Sequence, residues 1–278
     1  MRYKEAVKVA NFVHPRAHLE GEIELEEEVY IGPGCILEGK IKIGRGTRLI
    51  GNVYISGDTT IGRHNTFYPG CSIGAVPQDL HYDGAHTYTI IGDNNIFREN
   101  VTVHRGVPEE SATVIGNQCL LMVGAHVGHN SRLGDRVIMA NNATIGGHVT
   151  VGDRAFLSAQ TAVHQFCRIG EVVILAGLSG AMQDIPPFMM AAGRSAIIVG
   201  INTVGLQRAG CPPEERSKIK RAYRILYRQE RALHDAVATI EAELGGSPYI
   251  QKLLSFLRAE SKRGILTGQV TQLTEQFE

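Results

Sequence analysis

Four histidines and a glutamine stand out between residues 126 and 165: His126, His129, His148, His164 and Gln165. Imidazole titrates near neutral pH, so it can take a proton from a hydroxyl or amine, or ligate a metal as the neutral ring. His129, Gly147 and Gln165 follow one another at intervals of 18 residues, with His148 and His164 one place to either side of that series. A structural repeat of that length would stack them in one column, with His126 at the preceding corner. A lone histidine is most often a solvated surface residue; four gathered in this way describe a site. Spacing alone leaves a zinc centre and a general base both open.

The elements that would hold such a column follow from a period of six. Stepping by six from Val13 to Leu175 visits 28 positions, and only Asp79 and Glu109 are not apolar, Ala85 counting as apolar. With 43% apolar residues, chance would give about 12. Glycine follows the periodic residue eleven times, as in IGPGCI and VGDRAF, and Pro15, Pro33 and Pro69 stand one place later. A turn tolerates the missing N–H there. These are the marks of hexapeptide repeats folded as a parallel β-helix, short strand and sharp corner alternating. The expected fold is therefore mainly β, with about nine coils spaced by one strand repeat, followed by a C-terminal α-helical region. The helix would occupy residues 1–190, with loops near 75–88 and 106–112, and a linker and helical domain residues 191–278.

Composition narrows the function. The 28 basic residues balance 28 acidic ones, so no global field favours nucleic acid or an anionic membrane. No apolar run approaches a membrane span and the first residues lack a signal-peptide core, so a cytoplasmic protein without stable membrane insertion is expected. Cys35, Cys71, Cys119 and Cys167 all take the fifth place of their hexapeptide and read as small buried filler. The period stops near Asp184-Ile-Pro-Pro187. Beyond Pro212-Pro213 the pattern is helical: one stripe of Ile219, Ala222, Tyr223 and Leu226, a second of Leu233, Val237, Ile240 and Leu244, then Gly245-Gly246 as a stop. Ser247-Pro248 opens a further helix through Leu253, Leu254 and Leu257, and the last residues carry no strong pattern. Lys218, Lys220, Arg221, Arg224 and Arg228 fall within eleven residues, suited to an acidic partner or to a solvated face.

Ordered motifs carry a resemblance. NFVHPRA (11–17), PQDLHY (77–82), VTVHRG (101–106), LLMVGAHVGHN (120–130), MANNATIGGHV (139–149), TAVHQFCRIG (161–170), QDIPPF (183–188) and NTVGLQRAG (202–210) are similar to those of the acyl-carrier-protein-dependent UDP-N-acetylglucosamine O-acyltransferases. That family begins lipid A synthesis, and the likeness runs from about residue 10 to residue 265. It implies a left-handed β-helix assembled as a homotrimer, with acyl carrier protein and a UDP-sugar as partners, no nucleic acid, and no cofactor or metal. The acyl group would arrive on the carrier's phosphopantetheine. His129 matches the base and the Gly147 N–H the oxyanion donor. Asp79, His81, His126, His148, His164, Gln165, Asn202 and Arg208 match substrate-binding positions, and Gly177 the position that sets acyl length. With such a partner, the basic cluster from Lys218 to Arg228 would be the surface that docks the acidic acyl carrier protein.

Three residues depart from the family pattern. Asn130 stands where an Asp commonly follows the base, His81 where a Lys is common, and Val204 where a Glu is found. They leave open an alternative, N-acylation of the 3-amino analogue of the sugar. A zinc-dependent hydratase of the gamma-carbonic-anhydrase kind is the alternative from another class.

Overall fold

The computed structural model describes residues 10–268; the tail beyond Gly268, expected to be patternless, lies outside them. The chain divides into two compact units between Arg136 and Val137. Its fold is a left-handed parallel β-solenoid of about ten turns followed by α-helices.

In the first unit the strands of one face pair in parallel at a strict interval: Phe12 lies opposite Tyr30, Tyr30 opposite Arg48, and Arg48 opposite Thr66. Each step is 18 residues, three hexapeptides to the coil. Thr66 then lies opposite Ile96, and Ile96 opposite Leu120. The first step is twelve residues longer than a coil and the second six longer. Both insertions are whole multiples of the hexapeptide, so the apolar period survives them in phase. The positions visited inside the inserted lengths are Asp79, Ala85 and Glu109. The two breaks in the pattern are therefore loop residues, and the expected loops near 75–88 and 106–112 supply them.

Local geometry explains the repeat. The periodic residues are buried, among them Ile31, Leu37, Leu49, Phe67, Val103 and Val127, each 0% exposed. Three places after the periodic residue the backbone turns into the left-handed region, as at Asn52, Asn100, Gln118 and Asn130, with φ from 49° to 60°. Asparagine and glycine accept that region most readily. One expectation is too simple. His18–Leu25, Ile36–Ile43 and Tyr54–Ile61 are eight-residue strands that run through a hexapeptide junction. Gly21 and Gly39 make this possible; a Cβ on Gly21 would stand 2.2 Å from the Gly39 carbonyl oxygen. All five cysteines are buried free thiols, the four hexapeptide ones among them.

The second unit repeats the 18-residue register, Ile138 opposite Phe156 and Phe156 opposite Ile174. It then shortens, with Ile174 opposite Met190, and ends in an antiparallel hairpin of Met189–Ala192 with Ile197–Ile201. That hairpin was not foreseen, because Met, Ala and Ile there carry no alternation and no paired-glycine turn. Among the described residues four helices follow: α1 Thr203–Arg208, α2 Pro213–Tyr227, α3 Leu233–Leu244 and α4 Pro248–Arg258. Helix α2 begins at the expected prolines and acids. Its buried face uses Ile219, Ala222, Tyr223 and Ile225, so Ile225 takes the place expected of half-buried Leu226. In α3 the buried residues are Ala236, Ile240 and Leu244; Leu233, the first residue of the helix, is exposed. Helix α4 buries Ile250, Leu253, Leu254 and Leu257 behind a Ser247 cap. Among the described residues no helix is long and apolar enough to cross a membrane.

Candidate active site

The first unit gathers Asp79, His81, His126 and His129. Loop residue Asp79 folds into a tight turn, its Oδ1 accepting from the His81 N–H at 2.9 Å and lying 2.9 Å from His81 Nδ1. Those bonds, the backbone one foremost, lower the Asp79 carboxyl below the ordinary range, with a smaller contribution from His129. Asp79 Oδ2 is 3.4 Å from His129 Nε2. On the other side of the ring, His129 Nδ1 lies 2.9 Å from Asn130 Oδ1. His129 is buried, at 8% exposure. His81 by contrast points its side chain into solvent, at 92% exposure, and reaches the site only through Asp79.

His126 lies in the two-residue strand His126–Val127, not at a corner as expected. Its Nδ1 is 2.7 Å from Thr102 Oγ1, and its ring meets that of His104 edge to face, centroids 4.9 Å apart. Burial, then the neighbouring His126 and His129, push His104 down to about 4; burial and His129 lower His126. His104, Thr102, Ser111 and Thr113 were not singled out from the sequence as site residues. The available signal for His104 was a large polar residue directly after a periodic valine, where glycine is the usual occupant.

The second unit gathers Gly147, His148, His164 and Gln165. The ladder takes the Gly146 N–H to the Val163 carbonyl at 2.9 Å, and Phe166 N–H donates to the Gly147 carbonyl at 3.0 Å. Among the described residues the Gly147 N–H takes no part in that ladder. It occupies the place filled by Pro15, Pro33 and Pro69 in early repeats, where no N–H is needed. His148 stacks on Phe166 at 4.8 Å, and Lys262 Nζ lies 4.8 Å from the centroid of the same Phe166 ring. Arg263 donates to the Gln165 carbonyl at 2.9 Å and approaches His164 Nδ1 at 2.5 Å.

The remaining positions are more dispersed. Asn202 caps α1, its Oδ1 accepting from Gly205 N–H at 2.9 Å, while its Nδ2 donates to the Val172 carbonyl at 2.8 Å. Its amide is thus committed within the chain. Arg208 and Val204 are exposed on α1. Gly177 is exposed, and a Cβ there would meet only the Ala159 carbonyl oxygen, at 3.5 Å. Of the basic residues, Lys218 pairs with Glu215 at 2.7 Å and Arg221 with Glu243 at 2.6 Å. Arg228 donates to the Tyr223 hydroxyl at 2.9 Å. Lys220 and Arg224 form no ion pair among the described residues, and with Arg231 they line a groove of about 550 Å³.

Short parallel strands and left-handed corners that recur every six residues define a hexapeptide-repeat protein, with a histidine held at one corner. Residues 112–147 match the family model described as bacterial transferase hexapeptide, six repeats. Residues 184–266 match the one described as UDP N-acetylglucosamine O-acyltransferase, domain 2. The acyl-[acyl-carrier-protein]–UDP-N-acetylglucosamine O-acyltransferase of Thermodesulfovibrio yellowstonii is 45% identical over 256 residues, 92% of this chain and 99% of the relative. The crystal structure of the Francisella novicida UDP-N-acetylglucosamine acyltransferase superposes with a TM-score of 0.90 at 33% identity, covering 96% of this chain and 99% of that one. The Bacteroides fragilis enzyme gives 0.82 at 37% identity, over 94% and 100%. The chain belongs to the acyl-[acyl-carrier-protein]–UDP-N-acetylglucosamine O-acyltransferase family, and it is an acyltransferase.

Proposed function

We propose that the enzyme transfers a 3-hydroxyacyl chain from acyl carrier protein to the 3-position of UDP-N-acetylglucosamine, the first step of lipid A synthesis. The observation that carries this reading is the placement of His129. Its Nδ1 is held by the Asn130 oxygen and its Nε2 faces Asp79 from the first insertion loop. Nε2 takes the proton of the sugar hydroxyl as that oxygen attacks the thioester carbonyl. The Gly147 N–H supports the oxyanion that forms, and the departing pantetheine thiolate takes the proton back from the imidazolium. The base is worth roughly 10²–10⁴-fold in rate and one oxyanion donor about 10²–10³-fold.

His126, His148, His164, Gln165 and Arg208 bind the nucleotide sugar in this reading, and Asp79 and His81 contribute from the loop. Asn202 acts by holding α1 in place. The acyl group comes on the carrier's phosphopantetheine, so no resident cofactor or metal is needed. Three chains assemble, as the hexapeptide fold suggests, in the cytoplasm. Mass analysis of the product from purified enzyme, acyl carrier protein and UDP-N-acetylglucosamine tests the reading, together with His129→Ala. Loss of kcat by 10²-fold or more supports it; a His129→Ala enzyme at full rate removes the base.

Asn130 favours a second reading. An amide orients the ring without the negative charge of a carboxylate, and so stabilises the imidazolium less. An amine acceptor asks less of a base than a hydroxyl does, which suits the 3-amino sugar and N-acylation. Assays with both sugars decide it: equal or better use of the hydroxyl sugar excludes the amine preference.

A further inference from the structure

Asn130 raises a problem that an aspartate at the same place would not. A carboxylate has two equivalent oxygens, and either can accept the His129 Nδ1–H. An amide has one right orientation and one wrong one. With the amide reversed, the NH₂ group would donate to Nδ1, and the ring proton would have to move to Nε2. The nitrogen that accepts the substrate proton would then be blocked. Something must select the orientation.

The second insertion loop holds the selecting groups. Asn130 Nδ2 donates to Ser111 Oγ at 2.8 Å. The Ser111 hydroxyl in turn donates to the Pro108 carbonyl at 2.5 Å, so its hydrogen is committed and Oγ faces Asn130 as an acceptor. Val107 N–H donates to Asn130 Oδ1 at 3.0 Å, a second bond that favours the same orientation without securing it alone. The backbone is pinned as well: Asn130 N–H donates to Thr113 Oγ1 at 2.8 Å, with Asn130 at φ 60°. All of these partners lie in or beside the six residues that this coil has in excess.

We propose that Ser111 is a positioning residue for the base: it holds the Asn130 amide with its oxygen toward His129, so that the ring proton stays on Nδ1 and Nε2 is the basic nitrogen. The inference rests on His129 being the base. Removal of the hydroxyl frees the NH₂ end and lets the reversed amide compete. The loss of one discriminating hydrogen bond corresponds to roughly tenfold in rate.

The test is a cycle of Ser111→Ala, Asn130→Asp and the double variant, with kcat and KM measured for both substrates, and Ser111→Thr as the conservative control. Ser111→Ala should lower kcat about tenfold and leave each KM within about twofold. Ser111→Thr should recover most of the rate. In the Asn130→Asp background, where no amide can reverse, Ser111→Ala should cost less than about twofold. Nitrogen NMR of labelled histidine reads the same event directly, as loss of the Nδ1–H form of His129 in Ser111→Ala. Equal losses in the two backgrounds, or an unchanged Nδ1–H form, would give Ser111 a purely structural part and overturn the proposal. An active His129→Ala enzyme would sink the base assignment instead, and the two failures are separately visible. Should Ser111→Ala fold poorly, the NMR comparison of Ser111→Thr with the parent still decides: a changed tautomer with the hydroxyl retained contradicts the mechanism.

Discussion

His104 stands edge-on to His126, ring centroids 4.9 Å apart and planes at 81°, in a coil wall where His104 is only 8% exposed. Burial first, then the two neighbouring histidines, bring His104 from 6.5 to about 4. The unfolded chain binds a proton at this residue below about pH 6.5 and the native chain only below about pH 4. Between those values the unfolded state holds more protons, so stability rises with pH. The contribution is complete above pH 6.5 and is lost as pH falls toward 4, with His126 acting in the same direction. For His104 it amounts to about 3 kcal/mol at most. Urea midpoints should therefore fall between pH 7 and pH 5, and His104→Gln should flatten that slope. An unchanged slope would contradict the assignment.

Asn202 should report on stability more than on substrate. Its side chain caps α1 and satisfies the Val172 carbonyl. Loss of a cap costs about 0.5–2 kcal/mol, and leaving a buried carbonyl unpaired adds about 1–3 kcal/mol. Asn202→Ala should lower the melting temperature by several degrees. A KM for the nucleotide sugar raised at unchanged melting temperature would make it a direct substrate contact.

Charge reversal separates the basic residues of α2. Lys220 and Arg224 lack ion-pair partners among the described residues and line the groove, whereas Lys218 and Arg221 are paired within the helical region. Lys220→Glu with Arg224→Glu should raise the KM for acyl carrier protein about tenfold or more and leave that for the nucleotide sugar unchanged. The effect should shrink as salt is raised. Equal carrier KM values for variant and parent would remove the docking role.

Gly177 offers a test of acyl length without a folding penalty. The nearest atom to an added Cβ is 3.5 Å away, ordinary van der Waals contact. Gly177→Met should therefore fold normally and shift product masses toward shorter acyl chains. The same acyl distribution from both enzymes would place the end of the chain elsewhere.

Much of this protein is legible in the order of its residues. A period of six is forced by coils whose buried side chains must recur at every face, so Ile31, Leu49 and Val127 announce the β-helix directly. Within each unit residues 18 apart fall opposite one another, as Ile138 and Phe156 do, because 18-residue stacking is a property of the backbone ladder. Insertions were legible as places where the period visits Asp79 and Glu109, although their lengths emerged only from strand pairing. The terminal hairpin and Ile225 were missed, since neither a turn signal nor a clean helical stripe marks them.

What the sequence by itself determined is the wall: which residues face the core, where the corners fall, and that His129 stands at a corner. Only the tertiary structure decided what surrounds that residue. Asp79, Val107 and Ser111 come from insertions that do not obey the repeat, so no periodicity can register them against His129. Their approach is set by how each loop folds back on its coil, through the Asp79 turn and the Ser111 bond to Pro108. Hydrogen bonds of this kind depend on distances of a few tenths of an ångström, which residue order alone does not encode.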